Sequence, residues 1–234
     1  MKRKTGNCQL CGEEAELTKD HLPQKGLYPS SIRSSLGNLN TVWACAPCNN
    51  SQNLIDEVVK VIVGPMATAP WKSEIEKSVS RTLENNHKLK KMFDEHTRFE
   101  VIDTAQGRRE AGIFKLPPDK AKQFVAGVAR IAKGLFFQQY GVPLVEKYEI
   151  SLFHPQATDE LQSELETAMM KGPWKSVNDG TIHYCFSRLP SYGMVCVINL
   201  FENVELCFSI LEKGWREKYG ISNALLEEYG PYGI

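Results

Sequence analysis

The sequence predicts an α+β chain in three successive parts: a turn-rich unit over residues 1–62, a connector over 63–115 and an antiparallel sheet with helices over 116–234. Three observations carry this prediction. Residues 7–56 are punctuated by Gly12, Pro23, Gly26, Pro29, the Ser30 to Ser35 cluster and Gly37, with little periodicity before Asn49. The middle of the chain repeats apolar residues at helical spacing, and beyond residue 145 the apolar runs have the length and composition of strands.

A fifty-residue unit of this kind buries too little to fold alone and needs a staple. Cys8-Gln9-Leu10-Cys11 and Cys45-Ala46-Pro47-Cys48 provide one, separated by thirty-three residues. Two such pairs have the spacing of knuckles that close on one tetrahedral ion, with each sulfur about 2.3 Å from a zinc. Four thiolates leave no open position, so Zn2+ here is expected to be structural, its binding free energy contributing to folding. The chain has seven cysteines, and an odd number without a secretion signal speaks against a disulfide framework. Cys185, Cys196 and Cys207 lie in apolar strand-like sequence and read as small buried hydrophobes. A thioredoxin-type role is set aside, because neither pair is expected to open a helix after a buried strand.

Asn49 to Ile62 reads as a helix, with Leu54, Ile55, Val58, Val59 and Ile62 on one stripe. Gly64 to Pro70 breaks it. Trp71 to Phe93 follows as a charged connecting helix with Ile75, Val79, Leu83 and Leu89 on one face, and residues 98–113 as one or two strands about Gly107. Lys120 to Tyr140 is the strongest helix, with Asp119 as the expected N-cap and Gly141 and Pro143 ending it. Strands are expected at 146–153, 181–187, 194–200 and 204–211, a helix at 158–170, and a hairpin joint at Phe201-Glu202-Asn203.

Charge is balanced, 28 basic against 28 acidic residues, so no global field draws the chain to nucleic acid or an acidic membrane. Any such contact must be local. Residues 1–55 hold six cations (Lys2, Arg3, Lys4, Lys19, Lys25, Arg33) against four acids. No stretch reaches the roughly 18 apolar residues of a membrane span, and the basic start runs into polar Thr5, Gly6 and Asn7, so a cytoplasmic protein without a membrane partner is expected.

Between the knuckles stands Thr18-Lys19-Asp20-His21-Leu22-Pro23, and after the second pair Asn49-Asn50-Ser51. On a strand, adjacent side chains point to opposite faces. Asp20 can therefore turn toward an ion between hairpin and helix while His21 faces a water on the other side.

The order Cys-x-x-Cys, Asp-His, Asn, Cys-x-x-Cys-Asn resembles the HNH endonucleases of the ββα-metal fold. The match is closest to little-characterised bacterial HNH proteins, through Asp20 to Lys25, Leu27-Tyr28-Pro29, Asn38-Leu39 with Thr41-Val42, and Cys48-Asn49-Asn50 running to Asp56-Glu57. A later stretch, Arg130 to Phe137, resembles a further element of the same group.

The resemblance implies that His21 is the general base, that Asp20 and Asn49 hold a catalytic Mg2+ or Mn2+, and that a middle Asn ties the loop to the hairpin. Asn40 has the usual HNH spacing before Cys45, whereas Asn38 fits the closer group and is preferred. Asn49 stands where many members carry His, and Gln52 where many carry a Lys that could touch phosphate. Asp56 is read as a solvated helix residue that could add a ligand.

The implied activity is hydrolysis of DNA phosphodiester bonds, with phosphates met by Lys19, Lys25 or Arg33. The implied setting is phage defence, restriction or a mobile element. Residues 116–234 are left for a protein partner or a second copy. The alternative is a zinc-bound adaptor that binds DNA or protein without catalysis. His87, His96, His154 and His183 read as surface or core residues, and Trp174, Tyr192 and Phe201 as core or rim aromatics.

Overall fold

A computed structural model describes residues 4–50, 53–104, 107–144, 148–152, 163, 166–167, 170–189 and 193–214. Lys2, Arg3, Gln52, His154, Tyr192 and most of the helix expected over 158–170 lie outside them. The fold is mixed α+β.

Strands β1 (Lys4–Asn7), β2 (Glu14–His21) and β3 (Thr41–Cys45) form an antiparallel sheet in that order. The β2–β3 register pairs Leu17 with Cys45, Asp20 with Val42 and His21 with Thr41. The loop between them carries a 3-10 turn at Lys25–Leu27 and helix α1 (Ser30–Ser35). Helix α2 (Ala46–Asn50) starts directly at the end of β3, and α3 (Asn53–Val63) follows. The expected single helix from Asn49 is thus two elements. Cys45–Cys48 does open a helix after a strand, contrary to expectation.

The connector holds α4 (Lys72–Asn85) and α5 (His87–His96), then the hairpin β4 (Thr97–Thr104) and β5 (Gly107–Phe114). The expected single helix breaks at Asn86, whose side chain accepts from Leu89 N at 3.0 Å and so caps α5. Helix α6 (Pro118–Tyr140) begins one residue before Asp119, with Pro117 in the capping position. Asp119 is therefore a first-turn acid facing the helix dipole, and not the cap. Gly141, at φ +72°, ends the helix as expected.

Five antiparallel strands, β6 (Tyr148–Leu152), β7 (Lys175–Val177), β8 (Ile182–Leu189), β9 (Gly193–Leu200) and β10 (Val204–Glu212), form a sheet in the order β6-β10-β9-β8-β7. One large core joins this sheet to α6, α3, α4 and the loop residues Leu27 and Tyr28. Tyr28 meets Phe201 edge-on at 5.7 Å. A second, small cluster surrounds the cysteines: Cys8, Leu10, Leu17, Leu22, Val42, Ala44 and Cys45. Seven buried residues are a slender core for this sheet.

Two glycines on α6 let it seat closely on α3 and on the end of β2. A Cβ at Gly127 would strike Val59 and Ile55 of α3, and one at Gly134 would strike Leu22, at the end of β2. The helix thus lies directly behind the Asp20–His21–Leu22 segment.

Candidate metal centre and basic groove

The first cysteine pair sits in the turn between β1 and β2. Cys8 N donates to Glu13 O and Gly12 N to Cys8 O, both at 2.8 Å. The tight return needs Gly12, whose φ is +86°. Gln9 clamps this turn to β3, donating its N–H to Trp43 O at 2.9 Å and accepting from Trp43 N at 2.7 Å on Oε1. The second pair spans the β3–α2 junction.

All four sulfurs lie within 4.8 Å of one another, and Cys11 Sγ is 3.8 Å from Cys45 Sγ. A tetrahedron with bonds of about 2.3 Å has edges of about 3.8 Å, so the cage has the size of a four-sulfur ion site. Cys45 N donates to Cys8 Sγ at 3.3 Å, a contact that favours thiolate. The Cys8 thiol is pulled down to about 4, chiefly by the Cys48 thiol donating to it, while burial pushes Cys11 up to about 11. Cys48 is pushed upward, first by the hydrogen bond its thiol donates to Cys8, then by burial and by the charge on Cys8. The Cys8 thiolate opposes ionisation of Cys11 and Cys48, an opposition that a bound cation would relieve. These cysteines form a group that could hold a metal such as zinc.

Strand β2 divides its chemistry between two faces. Thr18 and Asp20 point toward α2 and α6, and Asn49 on α2 donates from Nδ2 to Thr18 Oγ1 at 2.7 Å. Asn49 is thereby docked one strand step from Asp20. Asp20 is buried, and Arg130 Nε of α6 stands 3.4 Å from its Oδ2. Arg130 Nη2 is also 3.6 Å from Asp56 Oδ1 on α3.

Neither contact is a hydrogen bond. Asp20 Oδ2, Asp56 Oδ1, Gln24 Oε1 and Arg130 Nε and Nη1 all lie buried without a hydrogen-bond partner. Burial raises Asp20 against the pull of Arg130 and pushes Asp56 up to about 6. Asp56, expected as a solvated helix residue, is instead a partly buried partner of Arg130. The donor set fits a hard cation in its chemistry, because Asp20, Asp56, Gln24 and Asn49 offer oxygens and two carboxylates face one guanidinium. Arg130 is the fixed cation with which such an ion would compete.

The other face carries Lys19 and His21. His21 opens onto a groove of about 690 Å³ whose lining includes Lys19, Lys25, Arg33 and Asn38. Five residues singled out from the sequence therefore share one concavity. Burial, then Lys25, Arg33 and Lys19, lower the imidazole below its ordinary 6.5, holding it neutral. Lys19 also lies over the Trp43 ring at 5.8 Å.

Asn38, the preferred candidate for the tie, is exposed at the groove, and the hydrogen bonds from this loop to Leu22 and to α6 are made at Asn40. Asn40 O accepts from Leu22 N at 2.8 Å, and its Nδ2 donates to Gln138 Oε1 at 2.8 Å. Asn178, in the β7–β8 turn, completes it. Its Oδ1 accepts from Asn40 N at 2.7 Å, and its Nδ2 donates to Leu22 O at 2.7 Å and Tyr28 Oη at 3.1 Å. Sequence reasoning missed Gln24, Arg130 as an ion-pair partner, and Asn178. Only Arg130 carried a signal, a charge inside the apolar run Val128 to Ala132.

No family model matches the chain, and neither a curated protein nor a solved structure matches it.

Proposed function

We propose that the chain is a metal-dependent endonuclease of the HNH type that hydrolyses phosphodiester bonds of DNA, with a structural zinc at Cys8, Cys11, Cys45 and Cys48. The observation that carries this reading is the division of β2: His21 faces a groove lined by Lys19, Lys25 and Arg33, while Asp20 turns to the oxygen donors on the opposite side.

In this reading the three cations and the Asn38 amide seat the phosphate. Neutral His21 takes a proton from a water. The water oxygen forms a bond to phosphorus as the bond to the leaving sugar oxygen breaks, and that oxygen takes up a proton. Positioned base catalysis of this kind contributes roughly 10² to 10⁴ in rate. Asp20 and Asn49, with Asp56 beside them, would hold a magnesium or manganese ion across β2 from that phosphate, and the chemistry it would supply there is a positive field that favours the charge growing on the phosphoryl and leaving oxygens. Asn49 would offer its carbonyl oxygen, its amide nitrogen being engaged with Thr18.

One observation favours the second reading, a zinc-bound adaptor without catalysis. Arg130 already gives Asp20 a countercharge, so the carboxylate has a structural use without an ion. A plasmid nicking assay separates the two. The nuclease reading expects magnesium- or manganese-dependent nicking by the wild type and a loss of about 10² or more in His21→Ala, with zinc content unchanged. Absence of nicking by the wild type with magnesium, manganese and nickel would leave the adaptor.

A further inference from the structure

Beside the His21 groove lies a second cleft of about 430 Å³, walled by the Lys25–Leu27 turn, α1, α3 and α4. Lys25 and Arg33 line both concavities. To these the second cleft adds Lys60 from α3 and Lys77 and Arg81 from α4. Its one acid, Glu74, accepts from Lys77 Nζ at 2.8 Å and from Ser31 Oγ at 2.9 Å, so it is already neutralised within the wall. Among the described residues, Lys25, Arg33, Lys60 and Arg81 make no ion pair.

The fold therefore gathers four cations without an ion-pair partner among the described residues in one hollow of a chain whose net charge is zero. Their mutual repulsion is an energetic cost that a bound anion relieves. Lys60 registers it directly: burial, Arg81 and Arg33 all disfavour its ammonium, and Glu57, the acid facing it, offsets only part. Glu57 is itself held by Asn86 Nδ2 at 2.7 Å. Ser30 and Ser78 add hydroxyls to the same lining.

Resting on the nuclease reading, we infer that this cleft binds backbone phosphates of the strand whose scissile phosphate lies at His21, with Lys60 and Arg81 as the added contacts. A polyanion that passes from one hollow to the other is selected by the two cations they share. A lone small anion would occupy only one of the two hollows.

The test uses the full-length, zinc-loaded chain carrying His21→Ala, so that bound DNA stays intact. Binding of a labelled trinucleotide and of a DNA about 16 nucleotides long, as single strand and duplex, is followed by anisotropy against salt. Each phosphate contact contributes about 0.7 to the log–log salt slope for a single strand and about 0.9 for a duplex. Adding Lys60→Gln and Arg81→Gln should flatten the slope for the long DNA by about 1.4 as single strand or about 1.8 as duplex. The trinucleotide slope should stay the same, and Lys122→Gln should change neither. Arg81 is exposed, so Arg81→Gln alone gives half the effect should the half-buried Lys60 position perturb folding, which zinc content and melting temperature report. An unchanged slope with the long DNA in a folded Arg81→Gln chain overturns the cleft and leaves the nuclease reading to the nicking assay. Failure of the His21→Ala chain to bind either form of long DNA overturns both.

Discussion

Asp20 and His21 are adjacent in the chain, yet one is buried against Arg130 and the other opens on a groove with three cations. Strand geometry alone produces this division, and it was legible from the dipeptide once a strand was expected. The pH dependence follows from the groove. The charged imidazole is disfavoured by burial and by Lys25, Arg33 and Lys19, so the base form persists to lower pH than in a free histidine. Cleavage in the nuclease reading should therefore rise with pH, reach half its plateau below pH 6.5 and level off above that midpoint. A midpoint above 6.5 in an initial-rate profile would mean that His21 is not the titrating base or that a carboxylate faces it. Asn178 shows where residue-scale reading stops. It stands 138 positions from Asn40 and 156 from Leu22, and nothing local marks a turn asparagine as the tie for a distant loop. Its positive φ of 52° is one that asparagine tolerates, which fits it to a turn but does not name its partners.

The helices and strands found from periodicity were those with enough buried positions to show a period. Helix α6 and strands β8, β9 and β10 were legible because each lays apolar residues against one core. Strands β1 and β7, of four and three residues with mostly exposed side chains, offer no alternation to read. The break between α4 and α5 is local chemistry, the Asn86 cap, within a stretch whose apolar spacing runs on through it. The β9–β10 joint is of the same kind. Phe201 and Glu202 both take left-handed backbone, at φ 52° and 65°, and Asn203 N closes the turn on Leu200 O at 3.3 Å. Phe201 offsets that cost by burying its ring beside Tyr28, whereas Glu202 is exposed and gains nothing comparable. Glu202→Gly should stabilise the chain by about 1 kcal/mol, the left-handed penalty less the added entropy of glycine. Chemical denaturation checks this, and a loss of stability would show that the glutamate makes a compensating interaction.

At the scale of the molecule, two unequal cores divide the work. The larger joins α3, α4, α6 and the five-stranded sheet, and the smaller gathers seven residues around the cysteines. Helix α6 links them, contributing Arg130 to Asp20 and a glycine surface to Leu22. This gives a physical use to the Arg130–Phe137 stretch, whose sequence likeness carried no reason of its own. Among the described residues no helix is long and apolar enough to cross a membrane. The balanced net charge concealed the basic hollows, because composition averages over faces that the fold separates.

The proposed chemistry requires β2 to serve an oxygen-bound ion on one face and a phosphate on the other. Diffraction from manganese-soaked crystals, collected at the manganese and zinc absorption edges, measures this directly. It should show zinc among Cys8, Cys11, Cys45 and Cys48 and a separate manganese peak between Asp20 and Asn49, with Arg130 drawn off Asp20. A zinc peak alone, with the guanidinium still against Asp20, would contradict it.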